Sequence, residues 1–132
     1  RKSNALSCVI KVTDARGQRL LLTGDIEAPQ ERDLLERSPE RLSAEVLVVP
    51  HHGSRTSSTL EFLQSVQPQV AVVQAAYRSR FGHPAPDVVA RYEDQRIKLV
   101  RTDQCGAYSW PQAACEREQR RRYWHHPPPQ SP

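Results

Sequence analysis

The chain has 132 residues, of which 37% are hydrophobic and 26% charged, so it is long enough for one domain with a core and has the composition of a soluble globular protein. No apolar run approaches the roughly 20 residues of a membrane span and no signal peptide is visible, which places this piece outside the bilayer. The net charge of +4 mildly favours polyanionic partners. Because the sequence opens with "RKSNALSCVI" and contains no methionine, we treat it as a fragment whose parent could still be a membrane protein.

The first predicted element is a β-hairpin. Side chains alternate over residues 5–12, and the turn residues of "TDARGQ" separate this strand from a second apolar run, "RLLLTGD". The alternation predicts a half-buried first strand, with Cys8 as a small buried hydrophobe. Its apolar face comprises Leu6, Cys8, Ile10 and Val12.

Helices and strands then alternate, which predicts an α/β fold with a mixed sheet and flanking helices. Strands are placed at 44–49, 70–75, 97–103 and 106–110, and helices begin at Pro29, after a cap at Ser57 or Ser58, and at Pro86. The inward faces of the last two helices are predicted to comprise Leu60, Leu63 and Val66, and Val88, Val89 and Tyr92.

The predicted domain ends at residue 110, and residues 111–132 are expected to form a basic, Pro-rich, disordered tail. The arginines of this tail are expected to be exposed to solvent, and the alternative is that they contact nucleic acid. They are Arg117, Arg120, Arg121 and Arg122. The odd cysteine count, without a CxxC pair, speaks against a disulfide framework and a structural zinc site.

Three polar motifs follow predicted strands: Thr23–Asp25, Pro50–Ser54 and Gly82–Pro84. The carboxyl ends of strands in an open α/β sheet share one edge, so a carboxylate and imidazoles converging there predict a zinc or manganese site. Simpler interpretations stay open. The alternative for Asp25 is a turn residue. The alternative for one of the adjacent histidines is a structural role, and that for His83 is an ordinary loop histidine. The small residues after Gly53 suit either a helix cap or a phosphate site at a helix start.

The segments "RLLLTGDIE", "LVVPHHGSRTSS", "FGHPAP" and "RTDQCGAYSW", in this order after "NALSCVIKV", together resemble the carboxyl-terminal metallo-β-lactamase-like domain of the ComEC family of DNA-uptake competence channels. The resemblance covers roughly residues 4–110. It implies an αββα sandwich, of which this chain would form one half. It also implies one or two divalent ions, zinc or manganese, that activate water for phosphodiester hydrolysis.

By this resemblance Asp25 is a metal ligand and catalytic carboxylate, and His51 or His52 is a second ligand. His52 and His83 are expected to be catalytic, with His83 at the mouth of the site, and Asn4 matches a further family position. Ser54, Arg78 and Arg80 are expected to contact DNA, with the aromatic rings of the "YRSRF" loop stacking on unpaired bases. A solvated loop packed through its aromatic rings is the alternative interpretation of "YRSRF".

The early HxHxDH ligand cluster of the superfamily is absent from these 132 residues. We therefore expect a partial ligand set, an open apolar sheet face and an inactive isolated fragment. The expected function is that of a competence protein whose hydrolase domain degrades the DNA strand that is not transported. Expected partners are DNA and the remainder of a channel in the bacterial inner membrane, with this domain on the periplasmic or external side and no small organic cofactor.

Two alternatives remain open at this stage. One is a metallohydrolase of small esters or lactones, against which the basic charge and the "YRSRF" loop weigh modestly. The other is a non-catalytic module that positions DNA or braces the channel.

Overall fold

The structure is a computed structural model that describes residues 3–77 and 79–119. Its centre is a five-stranded sheet in the order β1-β2-β3-β4-β5, in which β1 is antiparallel to β2 and the other neighbours are parallel. The predicted α/β class with a mixed sheet is confirmed. The strands are β1 (Ile10–Thr13), β2 (Arg19–Leu22), β3 (Val46–Val48), β4 (Val70–Val73) and β5 (Lys98–Arg101).

The predicted hairpin is formed by β1 and β2. Asp14 closes the turn, because its Oδ1 accepts hydrogen bonds from the backbone nitrogens of Arg16 (2.9 Å) and Gln18 (2.8 Å). Gly17 has φ +82°, a left-handed conformation that glycine adopts without steric cost. The first strand starts later than predicted, since Ser3–Leu6 form a 3₁₀ turn.

Three helices cover one face of the sheet: α1 (Ala28–Arg37), α2 (Leu60–Val66) and α3 (Pro86–Asp94). Prolines lie in the first turns of α1 and α3, where a missing N–H costs no helical hydrogen bond. The main core lies between these helices and the strands. Its buried side chains include Leu21, Leu47, Ala71, Val73, Phe62, Leu63, Val66, Val88 and Tyr92.

Helix α2 differs from its prediction in cap and inward face. Thr59 caps it, since its side chain accepts a hydrogen bond from the Phe62 nitrogen at 3.3 Å, and Ser57 and Ser58 lie before the cap. Phe62 is buried, whereas Leu60 is 39% exposed. At 3.6 residues per turn Leu60 lies about 120° around the helix from Val66, so the two cannot share a narrow face.

The prediction for the first strand was wrong about which face is covered. Ile10 is 53% exposed and Val12 37%, and Cys8 is an exposed free cysteine. Val9, on the other side of the chain, packs against the core. Alternation defines two faces, but packing decides which one is buried, and the helices lie on the side opposite Ile10 and Val12.

The other face of the sheet carries a second hydrophobic cluster around Val46, Val72 and Val100. A small hairpin packs on it through Tyr108 and Trp110. The elements of this region are α4 (Thr102–Cys105), β6 (Tyr108–Ser109), β7 (Ala114–Cys115) and α5 (Glu116–Gln119).

A disulfide joins Cys105 and Cys115, with 4.9 Å between the Cα atoms. This corrects the prediction from cysteine count, because pairing of Tyr108 with Cys115 in the hairpin returns the chain to α4. The first part of the predicted tail contains β7 and α5, and the predicted domain boundary and the disorder of the rest stay predictions. Arg120–Arg122 lie outside the described residues.

Within residues 3–77 and 79–119, no helix combines the length and the apolar character needed to cross a membrane.

Candidate active site at the carboxyl edge of the sheet

The loops after β2, β3 and β4 meet at one edge of the sheet and are tied together through the main chain. The His51 nitrogen donates to the Gly24 carbonyl at 3.0 Å, and the Ala85 nitrogen donates to the Gly53 carbonyl at 2.9 Å. Below them, the buried Thr23 hydroxyl donates to the Val48 carbonyl at 2.7 Å. The three sequence motifs singled out above are therefore direct neighbours in space.

The double-histidine turn has an unusual backbone. His51, His52 and Gly53 all have positive φ, at 48°, 55° and 79°. The left-handed region costs a non-glycine residue about 1–2 kcal/mol, and such strain clusters at functional sites. The two imidazole rings lie 6.3 Å apart between centroids.

Gly53 lets this turn lie against the Gly82–Pro84 loop. A Cβ atom at Gly53 would lie 2.6 Å from Pro84 Cβ and 3.0 Å from Pro84 Cα, far inside van der Waals contact. Glycine is thus required here by both its φ and its surroundings. The absence of a side chain at residue 53 keeps His83 beside the double histidine.

His52 is oriented by two contacts. Its Nδ1 lies 2.9 Å from the Gln74 carbonyl, and its Nε2 lies 3.3 Å from Asp25 Oδ1. A carbonyl only accepts hydrogen bonds, so Nδ1 carries a proton. In neutral His52 the lone pair of Nε2 would face a carboxylate oxygen, and two acceptors repel each other. A proton on Nε2 or a metal ion shared by Asp25 and His52 would turn this approach into an attractive one.

His51 has different partners. Its Nδ1 lies 3.3 Å from Glu27 Oε1, but this buried nitrogen makes no hydrogen bond, and its Nε2 lies 3.5 Å from Asn4 Nδ2. The sequence analysis missed Glu27, although it stands two residues after Asp25 in "TGDIE". The structure thus brings Asp25 to His52 and Glu27 to His51.

His83 completes the group of imidazoles. Its ring centroid lies 6.0 Å from that of His51 and 6.1 Å from that of Phe81. Burial, followed by the nearby charges of His51 and His52, lowers the pKa of His83 below its ordinary value of 6.5. This environment favours the neutral form of the His83 imidazole.

An open cleft of about 460 Å³ adjoins His52 and His83. Its floor and rim come from the chain after β4 and from Thr102, whose hydroxyl accepts a hydrogen bond from the Ala75 nitrogen at 2.9 Å. The lining residues are His52, Gln74, Ala75, Ala76, Ser79, Phe81, His83 and Thr102. The site therefore opens into a space large enough for a small organic group.

A buried carboxylate supports the loop from below. Glu31, which has no exposed surface, accepts hydrogen bonds from the backbone nitrogens of Ser58 and Thr59, both at 2.7 Å. Burial raises the pKa of Glu31, and the two hydrogen bonds and the charge of Arg91 oppose that shift. Arg91 also donates to the Ser58 carbonyl at 2.7 Å, and the Tyr92 hydroxyl lies 2.9 Å from that of Ser58. These hydrogen bonds to α1 and α3 thus fix the end of the loop that carries the histidines.

The residues expected to contact DNA are placed as follows. Ser54 is buried, and its hydroxyl lies 3.0 Å from that of Thr56, so it already has a partner inside the loop. Arg80 is exposed, with its guanidinium carbon 5.2 Å from the centroid of Phe81. Arg78 lies outside the described residues. The predicted roles of all three in binding DNA stay predictions.

The predicted metal ligands were Asp25, His51 and His52. Among the described residues no cluster of three or more His, Cys, Asp or Glu side chains has the arrangement of a metal site. Asp25 and His52 supply two donors, and the predicted ligand role of each stays a prediction.

The chain has clear similarity to known proteins. It is 42% identical over 104 residues to "Competence protein ComA" of Neisseria gonorrhoeae and 34% identical over 104 residues to "ComE operon protein 3" of Bacillus subtilis. It is also 37% identical over 102 residues to "Recombination protein 2" of Haemophilus influenzae. The chain is homologous to the carboxyl-terminal region of ComEC-family competence proteins. No family model matches it.

The homologous region is most of this chain but a small part of each relative. The three alignments cover 79%, 79% and 77% of the chain, and 15%, 13% and 12% of the respective relative. The chain thus spans about one-seventh of the length of the competence proteins that it matches. The resemblance to competence proteins is confirmed as homology to this region, whereas the metallo-β-lactamase-like sandwich that it implied stays a prediction.

Proposed function

We propose that the chain is the hydrolase part of a DNA-uptake protein and that, with a divalent zinc or manganese ion, its site cleaves phosphodiester bonds of the DNA strand that is not transported. Homology to competence proteins supports the biological setting. The observation that carries the chemistry is the 3.3 Å approach of His52 Nε2 to Asp25 Oδ1, with the other ring nitrogen committed to a carbonyl.

The two donors fit a shared metal ion. Ligands about 2.0–2.2 Å from a tetrahedral zinc ion lie about 3.4 Å from each other, close to the observed separation of Asp25 Oδ1 and His52 Nε2. A ligating histidine usually donates its other N–H to a carbonyl or carboxylate, as His52 does to Gln74. A catalytic zinc takes three protein ligands, so at least one more has to come from outside the described residues.

His52 is accordingly the ligand in this proposal, and His51 is not. His51 Nδ1 faces Glu27, and its role is to hold the strained turn and to face the substrate. The proposal thus assigns the ligand role to one of the two adjacent histidines between which the sequence does not choose.

The chain's own residues would divide the work of hydrolysis. A divalent ion held by Asp25 and His52 would supply a water with a pKa lowered to about 7 and positive charge for the phosphoryl oxygens. Asp25 supplies the negative charge that holds the ion, and the Gln74 carbonyl fixes the ring orientation of His52. His83, neutral and at the mouth of the site, accepts or returns a proton near the leaving group.

The test uses the full-length protein, labelled single-stranded DNA, and manganese or zinc. Asp25→Asn and His52→Gln keep the side-chain size but remove a charge or an imidazole, and each is expected to lower kcat/KM by at least about 100-fold, the upper end of what loss of a supporting residue costs. The matched control, His51→Gln, keeps metal-dependent cleavage but with weaker binding of substrate. Unchanged cleavage by Asp25→Asn rules out the assigned role.

A non-catalytic module that positions DNA or braces the channel is the second candidate. It is favoured by the same 3.3 Å approach of His52 Nε2 to Asp25 Oδ1, because a proton between the two atoms would satisfy Asp25 without any metal ion. In that case the full-length protein binds DNA but cleaves none with either metal, and Asp25→Asn leaves binding unchanged. Hydrolysis of small esters or lactones without cleavage of DNA would point to the third candidate, an ester hydrolase.

The proposed location is the periplasmic or external face of the inner membrane, with the rest of the channel as partner. The Cys105–Cys115 disulfide supports this location, because disulfides persist in oxidising compartments. Alkylation of thiols in intact cells, before and after reduction, tests it. In a Cys8→Ser variant, which removes the exposed free thiol, Cys105 and Cys115 should resist the reagent until a reductant is added, and immediate labelling of either one would contradict the location.

A further inference from the structure

An aromatic ring stands exposed at the rim of the cleft. Phe81 is 71% exposed, although a phenyl ring is among the side chains that gain most from burial. It lines the cleft beside His52 and His83, and its ring lies 6.1 Å from that of His83. A ring left open to solvent next to a polar site suggests contact with a ligand.

The surroundings of Phe81 combine a flat apolar surface with positive charge. The guanidinium carbon of Arg80 lies 5.2 Å from the centroid of the Phe81 ring. The cleft wall beyond it includes the small apolar side chains of Ala75 and Ala76. This combination suits a ligand that has both a planar ring and a negative charge.

The ring also stands close to the proposed reaction centre. The centroids of Phe81, His83 and His51 follow one another at 6.1 and 6.0 Å. Because Phe81 and His52 line the same cleft and His52 contacts Asp25, a ring stacked on Phe81 would belong to a nucleotide close to a phosphate held near Asp25 and His52.

We propose that Phe81 stacks on an unpaired nucleobase next to the phosphate, with Arg80 against the backbone, so that the base itself contributes to substrate choice. This inference rests on the proposed function, and it assigns to the cleft a nucleobase subsite. Every base has a π face, so the subsite requires a base without selecting its identity. An extended apolar peptide or a lipid would use the ring without needing a base, and the experiment separates these cases.

Binding to the full-length protein without added metal tests the subsite independently of catalysis. The probes are a single-stranded oligothymidylate and a strand of the same length that lacks bases throughout. The wild-type protein should bind the base-free strand about tenfold more weakly, as expected for loss of one stacked base. Phe81→Ala should bind oligothymidylate about tenfold more weakly and bind the two strands alike.

Matched variants separate stacking from apolar contact. Phe81→Trp keeps an aromatic surface and should retain the preference for bases, whereas Phe81→Leu keeps the bulk and should lose it. Leu60 is an exposed apolar residue of α2, and Leu60→Ala should leave the binding of both strands unchanged. The fluorescence of a strand that contains 2-aminopurine should decrease on binding to the wild-type protein and to Phe81→Trp. It should not decrease on binding to Phe81→Leu. Because Phe81 is exposed, these variants should fold, and circular dichroism checks this.

The outcomes distinguish failure of the subsite from failure of the proposed function. Equal binding of both strands by the wild-type protein, or a preference for bases that survives in Phe81→Ala, overturns the subsite even if DNA is cleaved. A base preference that depends on Phe81, in a protein that cleaves no DNA with either metal, supports the subsite and overturns the hydrolase.

Discussion

Substitution of Gly53 by alanine tests how the double-histidine turn is held against the Gly82–Pro84 loop. The new methyl group would lie 2.6 Å from Pro84 Cβ and 3.0 Å from Pro84 Cα, whereas carbon atoms normally approach to about 3.5–4.0 Å. Pro84 is buried, and the Ala85 nitrogen donates to the Gly53 carbonyl, so the two loops cannot separate without breaking that hydrogen bond.

The expected loss of stability has two parts. Alanine at φ +79° costs about 1–2 kcal/mol, and overpacking of a filled contact costs about a further 1–3 kcal/mol. Gly17→Ala is a matched control, since Gly17 has φ +82° and a Cβ atom there would meet nothing within 4 Å. The control should therefore show the backbone cost alone.

The free energy of unfolding in urea measures both variants. Gly53→Ala should be less stable than Gly17→Ala by about 1–3 kcal/mol, the steric part of the cost. Equal destabilisation of the two variants, within about 0.5 kcal/mol, would refute the packing of the two loops described here.

Two further predictions concern stability away from the site. The hydrogen bonds from Arg19 lower the pKa of Glu45 from an ordinary 4.5 to about 2, so its contribution is present above pH 4.5 and is lost as the pH falls towards 2. Glu45→Gln should therefore be less stable at pH 7. Its free energy of unfolding, measured in urea, should depend less on pH between 4.5 and 2 than that of the wild-type protein, and an unchanged slope would contradict the ion pair. Cys105→Ser, which opens a loop with a sequence separation of 10, should lose about 3 kcal/mol by the chain-entropy estimate. A reductant should destabilise the wild-type protein by a similar amount and leave the variant unchanged, and a reductant that destabilises both alike would count against the disulfide.

The order of elements and the position of the site could be predicted from the sequence. The turn residues of "TDARGQ" and the β-branched run before Pro50 are local signals for a hairpin and a buried parallel strand, and both are present. Because parallel strands bring their carboxyl ends to one edge, the motifs that contain Asp25, His52 and His83 had to be neighbours.

Other features depend on packing that no local pattern contains. The alternation of Ile10 and Val12 shows two faces of β1, but the covered face is set by helices distant in sequence. The pairing of Cys105 with Cys115 follows from the register of β6 and β7 rather than from cysteine spacing.

The different partners of the two histidines also lay beyond the sequence. They depend on left-handed backbone at both His51 and His52, which side-chain patterns do not reveal and which non-glycine residues rarely adopt. That backbone turns one ring towards Glu27 and the other towards Asp25. The nearby carboxylate of Glu27 gave no periodic signal and was recognised only from its contact with His51.

The central claim is that Asp25 and His52 share a metal ion. Its most direct test is the nitrogen coupling in the electron paramagnetic resonance spectrum of manganese bound to the full-length protein. The account predicts that the coupling of one imidazole nitrogen disappears in His52→Gln and persists in His51→Gln, with manganese binding weakened in Asp25→Asn. An unchanged spectrum in His52→Gln, or loss of the coupling in His51→Gln alone, would contradict it.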